Sequence, residues 1–468
     1  MTRIHSSISP RRRVPRLLAI VAGTLSLYAC ASYAPLPLGD GHGALRVSQL
    51  SAPARTLPGE PDTPHAFDLS NGMDVTETAM LAVANSPQLR LQRDALGIAR
   101  AQAFAAGLLP DPQLSLSLDI PTSDQSGLTR AFGLGLGYDI GALLTRSARK
   151  AAARHQVEQV NLDLLWSEWQ TVAQARLLFD QVLSARASHA LLQHEVAALR
   201  PLERQVHAAL AAGNLTYAGA AAGLNALADA QRQLAEASRA RNQSEHDLRL
   251  LLGLNAQAPL PLVGAPYRAN PTATELRQAL AALPARRPDL LALKAGYASQ
   301  ESQLRVEILK QFPDITIGYN RARDTSNVYT HGLALGLNLP LFNRNRGNIA
   351  IARATRQELH DDYDARLLAT RADMRLLQRN LASLDSQLAA LGTHARRLDA
   401  ARAAARKAWR ADQLDWPTYL SIRSNALAAD LQLIALKQQR AQQAIALATL
   451  LGGDWSNTPS KPAGVPTT

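Results

Sequence analysis

Large aromatic side chains are scarce in this chain, since Phe, Trp and Tyr together make up 4% of its 468 residues. Hydrophobic residues still account for 47% of the sequence, and Ala and Leu dominate them. Globular interiors usually contain bulkier and more varied side chains, whereas Ala and Leu favour helices. The composition therefore favours long helices packed side by side over a mixed globular core.

Cysteine is almost absent as well. Cys30 is the single cysteine, so it has no partner for an intramolecular disulfide. It ends the stretch "RRRVPRLLAIVAGTLSLYAC", in which a basic segment leads into an apolar run from Leu17 to Leu27. That run is too short to cross a bilayer comfortably and is typical of a secretion signal. We interpret residues 1–29 as a signal peptide.

The residues around Cys30 resemble the cleavage box of bacterial lipoproteins, in which the cysteine becomes the lipidated first residue of the mature chain. This resemblance predicts a covalent lipid such as palmitate on Cys30 and no other cofactor. Ala31 follows, where an Asp typically retains such proteins at the inner membrane, so we expect the outer membrane of a Gram-negative bacterium. The alternative is an ordinary signal peptide in which Cys30 is incidental.

The formal charge of +12 exceeds that of the predicted mature chain. Residues 1–29 contain five arginines and no acidic residue, so their removal leaves +7. The remaining basic residues are scattered among Glu, Asp and Gln along helical segments, a pattern typical of solvated faces. We therefore predict no nucleic-acid partner.

Motifs for catalysis and metal binding are also missing. No Gly-rich phosphate loop follows a strand, and no Ser/His/Asp arrangement has persuasive spacing. His194 lacks the second His of a zinc-protease helix, and "HDDYD" at 360–364 is more typical of a solvated helix. With four Met and one Cys, a soft-metal relay is also disfavoured. We predict neither an enzyme nor a metal site.

Helical patterns dominate the rest of the chain. A helix is predicted from Asp74, where Glu77 completes a capping box, towards Leu109. A much longer helix is predicted from Arg146 to about Ala212, with a kink at Pro201. Its counterpart runs from about Gly347 to Ala411. At about 1.5 Å per residue, the first of these rods would be on the order of 100 Å long.

Regular spacings reveal an internal duplication. Pro87 and Pro112 are 25 residues apart, as are Pro288 and Pro313. The intervals from Leu215 to Gly253 and from Leu414 to Gly452 are both 38 residues. A second capping box, at Thr272 and Glu275, begins the second copy. Two halves of about 200 residues therefore share one design.

The domain plan that follows has six parts. They are a signal peptide (1–29), a lipid-anchored extended leader (30–72), a first repeat (73–255, strands about 112–121 and 131–141), a connector (256–271), a second repeat (272–454, strands about 313–322 and 330–340) and a flexible tail (455–468).

Four segments of about ten residues alternate between apolar and small or polar residues, as in "QLSLSLDI" and "HGLALGLNLP". This length suits a tilted strand that crosses hydrocarbon with one apolar face. Four strands cannot close a membrane barrel, so several copies must pool their strands. Three chains would supply twelve, and the long helices would continue below as a tube wall. The alternative is a small soluble sheet capping a helical bundle, which the strand glycines disfavour.

Residues 66–454 resemble the TolC-type outer-membrane channels of tripartite efflux pumps. The resemblance rests on the duplicated plan and on "ARRPDLLALKAGYASQESQLRVEILKQFPDITIGY" (285–319), with its Arg-Pro-Asp helix start and Pro-Asp strand start. The segment "LNLPLFNRNRGNIAIARA" (337–354) further resembles the branch that serves heavy-metal pumps of the cobalt-zinc-cadmium type.

The resemblance implies a mainly helical fold with four strands per chain, in a homotrimer with a twelve-stranded barrel and a long periplasmic helical barrel. It also implies two partners besides outer-membrane lipid: a periplasmic adaptor, or membrane fusion protein, and an inner-membrane RND transporter. The expected function is a passive exit duct, with heavy-metal cations as cargo. Alternatives are efflux of drugs or small organic molecules, a type I secretion duct, and a periplasmic coiled-coil adaptor or scaffold.

The resemblance also points to two helix turns, "AAGNLTYAG" (211–219) and "RADQLDWPTY" (410–419), as adaptor-contacting tips. Gly213, Leu215 and Thr216 match the family pattern in the first turn, and Leu414 lies in the second. Asp412 and Asp415 depart from the pattern by replacing a Gly and a hydroxyl residue. Repeated three times, either Asp could form a carboxylate ring at the aperture. Asp415 could instead cap the helix that begins at Trp416.

Overall fold

The computed structural model describes residues 33–51, 57, 67–122, 126–269 and 271–452. The chain divides into two units between His42 and Gly43. In the first unit, the described residues 33–42 have no regular secondary structure. All the elements below belong to the second unit. Cys30, the predicted signal peptide and the predicted tail lie outside the described residues.

The second unit contains eight long or medium helices and four strands among its described residues. In chain order they are α1 (Val75–Asn85), α2 (Pro87–Gly107), β1 (Gln113–Asp119), β2 (Ala131–Asp139), α3 (Gly141–Ala211), α4 (Tyr217–Leu251), α5 (Ala273–Arg286), α6 (Pro288–Leu309), β3 (Asp314–Arg323), β4 (Tyr329–Asn338), α7 (Arg346–Arg410) and α8 (Trp416–Leu451). All four predicted strands are present, each within three residues of its predicted bounds.

The single helix predicted from Asp74 to Leu109 is wrong, because it is interrupted at Ser86. The capping box of Asp74 and Glu77 begins α1 as expected, but Ser86 has a ψ of 124° and α2 starts at Pro87. Proline has no N–H to continue the helical ladder, and it forces the preceding residue out of the helical region. Arg287 before Pro288 has the same conformation, with a ψ of 122°.

The two predicted rods are confirmed. Helix α3 has 71 residues and α7 has 65, so at 1.5 Å per residue they are about 107 Å and 98 Å long. Pro201 lies inside α3, and the helix continues through it. Helices α1, α2 and α4 pack along α3, α8 packs mainly along α7, and α6 lies between the two rods and packs against both. Each rod is thus flanked by shorter helices.

The strands form one antiparallel sheet in the order β1-β2-β3-β4. Directly paired residues lie on the same face of the sheet. The register therefore places apolar side chains beside apolar ones and polar or small side chains beside one another. Leu114, Leu136, Tyr319 and Leu333 form one cross-sheet row, while Ser115, Gly135, Asn320 and Gly332 form the next row on the opposite face. One face of the sheet is therefore apolar and the other small or polar.

The connector between the repeats is anchored at mid-length of α3. Asp180 is fully buried and accepts hydrogen bonds from the backbone N–H of Tyr267, at 3.1 Å and 3.3 Å from its two carboxylate oxygens. Burial raises the pKa of Asp180 to about 7, against the opposing effects of that hydrogen bond and of Arg176. Asp180 therefore loses its proton closer to neutral pH than an exposed aspartate does.

The Arg-Pro-Asp motif joins three helices. Arg287 donates two hydrogen bonds to Asp289, at 2.8 Å and 2.5 Å, and a third to the hydroxyl of Thr370 in α7 at 2.9 Å. Its guanidinium also lies 4.9 Å from the ring centre of Trp166 in α3. Both charged partners are buried, with 3% and 6% exposed. The motif therefore fixes the start of α6 between the two rods.

We predict that Arg287→Ala destabilises the protein strongly, because it leaves the Asp289 carboxylate buried without its main partner. Breaking a buried ion pair in this way costs about 3–5 kcal/mol. The measurement is the thermal unfolding midpoint of the purified full-length protein in detergent, followed by circular dichroism. Arg286→Ala is the matched control because Arg286 is adjacent but exposed. Equal midpoints for the two variants would contradict the role assigned to Arg287.

Candidate functional site: the membrane sheet and the helix tips

The apolar face of the sheet is not covered by any other part of the chain that the structure describes. Leu114 is 64% exposed, Leu116 75% and Leu333 87%. Monomeric soluble proteins rarely expose a contiguous apolar surface of this kind. The face instead has the chemistry of a strand surface in contact with hydrocarbon. No described helix combines the length and hydropathy needed to cross a bilayer.

Aromatic and basic side chains gather at the end of this face that lies towards the strand-connecting loops. Phe132 and Tyr329 meet edge to face, with ring centres 6.3 Å apart. The guanidinium of Arg323 lies 5.3 Å and 6.0 Å from the two ring centres. Aromatic rings and Arg side chains are typical of the boundary between hydrocarbon and water. This cluster therefore marks one edge of the apolar band.

The opposite face carries small, polar and acidic side chains. Gly133 and Gly135 leave room for the hydroxyls of Ser117 and Ser115 across the strand pair. The charged side chains on this face are all acidic: Asp119, Asp139 and Asp314. Asp139 and Asp314 lie at the helix end of the sheet, where Asp139 accepts a hydrogen bond from the backbone N–H of Ala142 at 3.0 Å. This face is suited to water and to cations.

The two predicted tips are matching turns. Gly213 follows the end of α3 with a φ of +71°, and Asp412 occupies the equivalent position after α7 with a φ of +53°. In both turns the next residue donates its N–H back into the helix: Asn214 to Ala209 at 2.9 Å, and Gln413 to Ala408 at 2.8 Å. Asp412 therefore stands in a left-handed conformation that normally favours Gly.

Asp415 caps a helix. Its carboxylate accepts a hydrogen bond from the backbone N–H of Thr418 at 3.0 Å, and Pro417 lies in the first turn of α8. The capping interpretation is thus confirmed for Asp415. Asp412 and Asp415 are both exposed, so each carboxylate is open to solvent. Their grouping into an aperture ring stays a prediction.

The other predicted tip residues differ in burial. Gly213 and Thr216 are exposed, and Leu215 is half-buried. Leu414 is half-buried against a cluster that includes Leu199 and Leu202 of α3. The first turn thus offers a mainly exposed surface to a partner, whereas Leu414 also holds the second turn in place.

Sequence reasoning missed an aromatic cluster beside the second turn. Trp409 stacks on Tyr419 with ring centres 5.0 Å apart, and Trp416 packs against α4 at Gly223, where a Cβ would have no room. Two tryptophans within eight residues were the available signal in a chain so poor in aromatics. The cluster ties α8 to α7 and to α4.

A buried ion pair lies one helical turn further along α8. Arg423 donates to both carboxylate oxygens of Glu195 in α3, at 2.6 Å and 2.9 Å, and to the hydroxyl of Tyr419 at 3.0 Å. Burial alone would lower the pKa of Arg423, but the hydrogen bonds and the charge of Glu195 outweigh it and raise that pKa above its usual value. The pair links the second hairpin of helices to the first near the tips.

The histidines considered as metal ligands form no centre. His360 contacts Asp361 at 3.1 Å within its own exposed helical run. Across the described ranges, no group of three His, Cys, Asp or Glu side chains has the spacing to hold a metal ion.

We predict that Asp412→Val loosens the second tip, because a β-branched residue in the left-handed region costs about 1–2 kcal/mol. Asp412→Asn should leave the turn unchanged, since Asn tolerates this conformation. The measurement is the rate at which a protease cleaves the purified protein between residues 408 and 416. A native cleavage rate in the Val variant would contradict this account of the turn.

Comparison with known proteins agrees with this architecture. A family model described as outer membrane efflux protein matches residues 279–453. The pyoverdine export outer membrane protein OpmQ of Pseudomonas putida is 26% identical over 94% of this chain and 98% of its own length. The cobalt-zinc-cadmium resistance protein CzcC of Cupriavidus metallidurans is 28% identical over 60% of this chain and 65% of its own length.

The fold is shared with solved outer-membrane channels. The open-state MtrE channel of Neisseria gonorrhoeae superimposes with a TM-score of 0.68 at 16% identity, covering 92% of this chain and all of MtrE. The family model matches the second repeat, and the similarity to OpmQ extends along nearly the whole chain. The shared channel fold includes both repeats. Residues 279–453 therefore match the outer membrane efflux protein family, and the chain as a whole shares the fold of solved outer-membrane channels.

Proposed function

We propose that the chain forms a homotrimeric exit duct of a tripartite efflux system. It would be anchored through a lipid on Cys30 and coupled at its tips to a periplasmic adaptor and an inner-membrane RND transporter. Members of the family are passive outer-membrane channels. The observation that carries the proposal is the four-stranded sheet. Among the residues that the structure describes, its apolar face is exposed and its edge strands β1 and β4 each pair on one side only.

A second copy of the chain is the partner that could pair with the edges of β1 and β4. A strand edge inside hydrocarbon leaves backbone N–H and C=O groups unpaired, which is unfavourable by several kcal/mol per group. The helices next to the edges also expose large apolar side chains, with Ile98 61% and Phe104 72% exposed on α2, and Ile351 66% and Leu368 70% exposed on α7. Pairing β4 of one copy with β1 of the next would bring these helices together.

For the cargo, we propose heavy-metal cations. The polar face of the sheet carries only acidic charges, and three copies would line the lumen with nine carboxylates from Asp119, Asp139 and Asp314. Carboxylate rings attract cations and repel anions. The similarity to CzcC over 60% of the chain and the segment 337–354 support the same class.

Small organic molecules are the second candidate, because OpmQ matches the chain along nearly its whole length. OpmQ is named for the export of pyoverdine, which is an organic molecule. A duct takes its specificity mainly from the transporter that feeds it, so the same barrel could serve this class.

The cargo is tested with a deletion strain complemented by the native gene. We predict lowered tolerance to zinc, cobalt, cadmium, copper or silver in the deletion strain, restored on complementation, and unchanged sensitivity to organic antibiotics. Unchanged metal tolerance with raised sensitivity to organic compounds would overturn the metal proposal in favour of the second candidate.

Membrane insertion is tested with two adjacent substitutions on β1. Leu114 lies in the central row of the apolar face, where an Arg facing lipid costs about 2–4 kcal/mol. We predict that Leu114→Arg sharply reduces the heat-modifiable trimer in the outer-membrane fraction. Ser115→Arg, on the opposite face, should assemble normally because its side chain meets water. Equal assembly of the two variants would contradict the assignment of the faces.

A further inference from the structure

Three basic side chains lie on the apolar face of the sheet. Arg321 and Arg323 of β3 share this face with Tyr319, which lies in the central apolar row. His331 of β4 pairs directly with Arg321 and so lies on the same face. All three occupy the two rows nearest the strand-connecting loops, whereas the strands contribute only Leu, Ile and Tyr to the rows towards the helices. The basic side chains are therefore confined to one end of a face that otherwise suits hydrocarbon.

Arg321 finds no anion in the described part of the chain. Its side chain is exposed and makes no hydrogen bond, ion pair or ring contact there. The acidic side chains of the four strands all lie on the opposite face. Asp324, just after β3, accepts from the backbone N–H groups of Ser326 and Val328 in its own turn, both at 2.9 Å. A guanidinium on a lipid-facing surface is unfavourable unless it meets an anion or water, so Arg321 needs a partner from outside these residues.

Arg323 is already held in position beside it. Its guanidinium lies near the rings of Phe132 and Tyr329 and donates to the backbone carbonyl oxygen of Arg130 at 2.6 Å. Arginine has five N–H donors, and that bond uses one of them. A side chain that is fixed before binding loses little conformational entropy when a ligand arrives. Arg323 is thus a positioned cation next to a free one.

The spacing and the chemistry of these side chains suit phosphate groups. At about 3.4 Å per residue, the Cα atoms of Arg321 and Arg323 are about 7 Å apart along β3. Each guanidinium can bind a phosphate through two parallel N–H···O bonds. Basic side chains at a membrane boundary are also the usual partners of anionic lipid headgroups. The lumen is a poor source of this anion, because these side chains lie on the face away from the acidic one.

We propose that Arg321, Arg323 and His331 bind the phosphates of an anionic lipid in the outer leaflet, a diphosphorylated lipid of the lipid A type. The inference rests on the exit duct proposed above, in which the loop end of the sheet lies in that leaflet because the helices extend from the other end into the periplasm. Closure of the barrel uses strand edges and leaves this face open to lipid. Acyl chains of the bound lipid would lie along the apolar rows below.

The test uses the purified full-length protein in detergent, with native mass spectrometry to count the lipids bound to the trimer. The probes are lipid A with its two phosphates and lipid A from which both phosphates have been removed. We expect the native protein to bind the phosphorylated form about tenfold more tightly, the factor that one hydrogen bond to a charged group supplies. Arg321→Gln with Arg323→Gln should abolish that preference, and Arg321→Gln alone should reduce it. Arg100→Gln, which changes an exposed arginine on α2, should leave it intact.

The Arg321 variant keeps the test decisive, because its side chain is exposed and contacts no described residue that the fold depends on. Equal binding of the two probes by the native protein, or an equal loss in the Arg100 variant, would overturn the proposal. Displacement of lipid A by millimolar inorganic phosphate, or equally tight binding of phosphatidylglycerol with its single phosphate, would overturn it too. A trimer that conducts ions without preferring lipid A would refute this inference and leave the duct intact, whereas a native protein that forms no trimer would refute both.

Discussion

Backbone N–H and C=O groups that enter hydrocarbon must find partners within the protein, and this requirement governs how a four-stranded sheet can be used. The sheet satisfies its interior strands through the β1-β2, β2-β3 and β3-β4 ladders. Within the described residues, strands β1 and β4 each pair on one side only. A single chain therefore cannot bury this sheet in lipid, and closure by further copies removes both edges at once. The duplication accounts for the strand count, since each repeat contributes one pair.

The internal duplication also determines how the helices are arranged. Each repeat has one uninterrupted rod and shorter helices laid against it, so the rod spans the point where the shorter helices meet. Those meeting points are defined by Pro87 and Pro288, which start α2 and α6, and by Gly253 and Gly452, which follow α4 and α8 in left-handed conformation. The junctions are held by buried polar contacts, such as that of Arg287 with Thr370. Few large aromatic residues are needed, because Ala and Leu suffice where long helices pack side by side.

Much of this architecture could be predicted from periodicity and spacing. Alternation located the four strands, and the unbroken helical pattern located α3 and α7 within a few residues. The break at Ser86 was missed because the helical pattern continues on both sides of Pro87, although proline at the first helical position is a known start signal. The capping box at Asp74 was visible since both partners are three residues apart.

The contacts that join the repeats were not predictable in the same way. Trp416 and Gly223 are 193 positions apart, and Arg423 and Glu195 are 228 apart. A single sequence offers no periodicity that links such positions, so packing alone reveals them. The second tip was predictable in part. The replacement of Gly by Asp at position 412 was visible in the sequence, whereas the left-handed conformation of Asp412 was seen only in the structure.

The central claim is that copies of this chain pool their strands to form a water-filled barrel, and ion conductance tests it most directly. Purified full-length protein would be added to planar bilayers, and single-channel currents recorded with unequal salt on the two sides. The account predicts discrete conductance steps with a preference for cations, which should weaken when Asp119, Asp139 and Asp314 are all changed to Asn. A folded protein that binds membranes without the heat-modifiable trimer, and that never conducts in any variant, would contradict it.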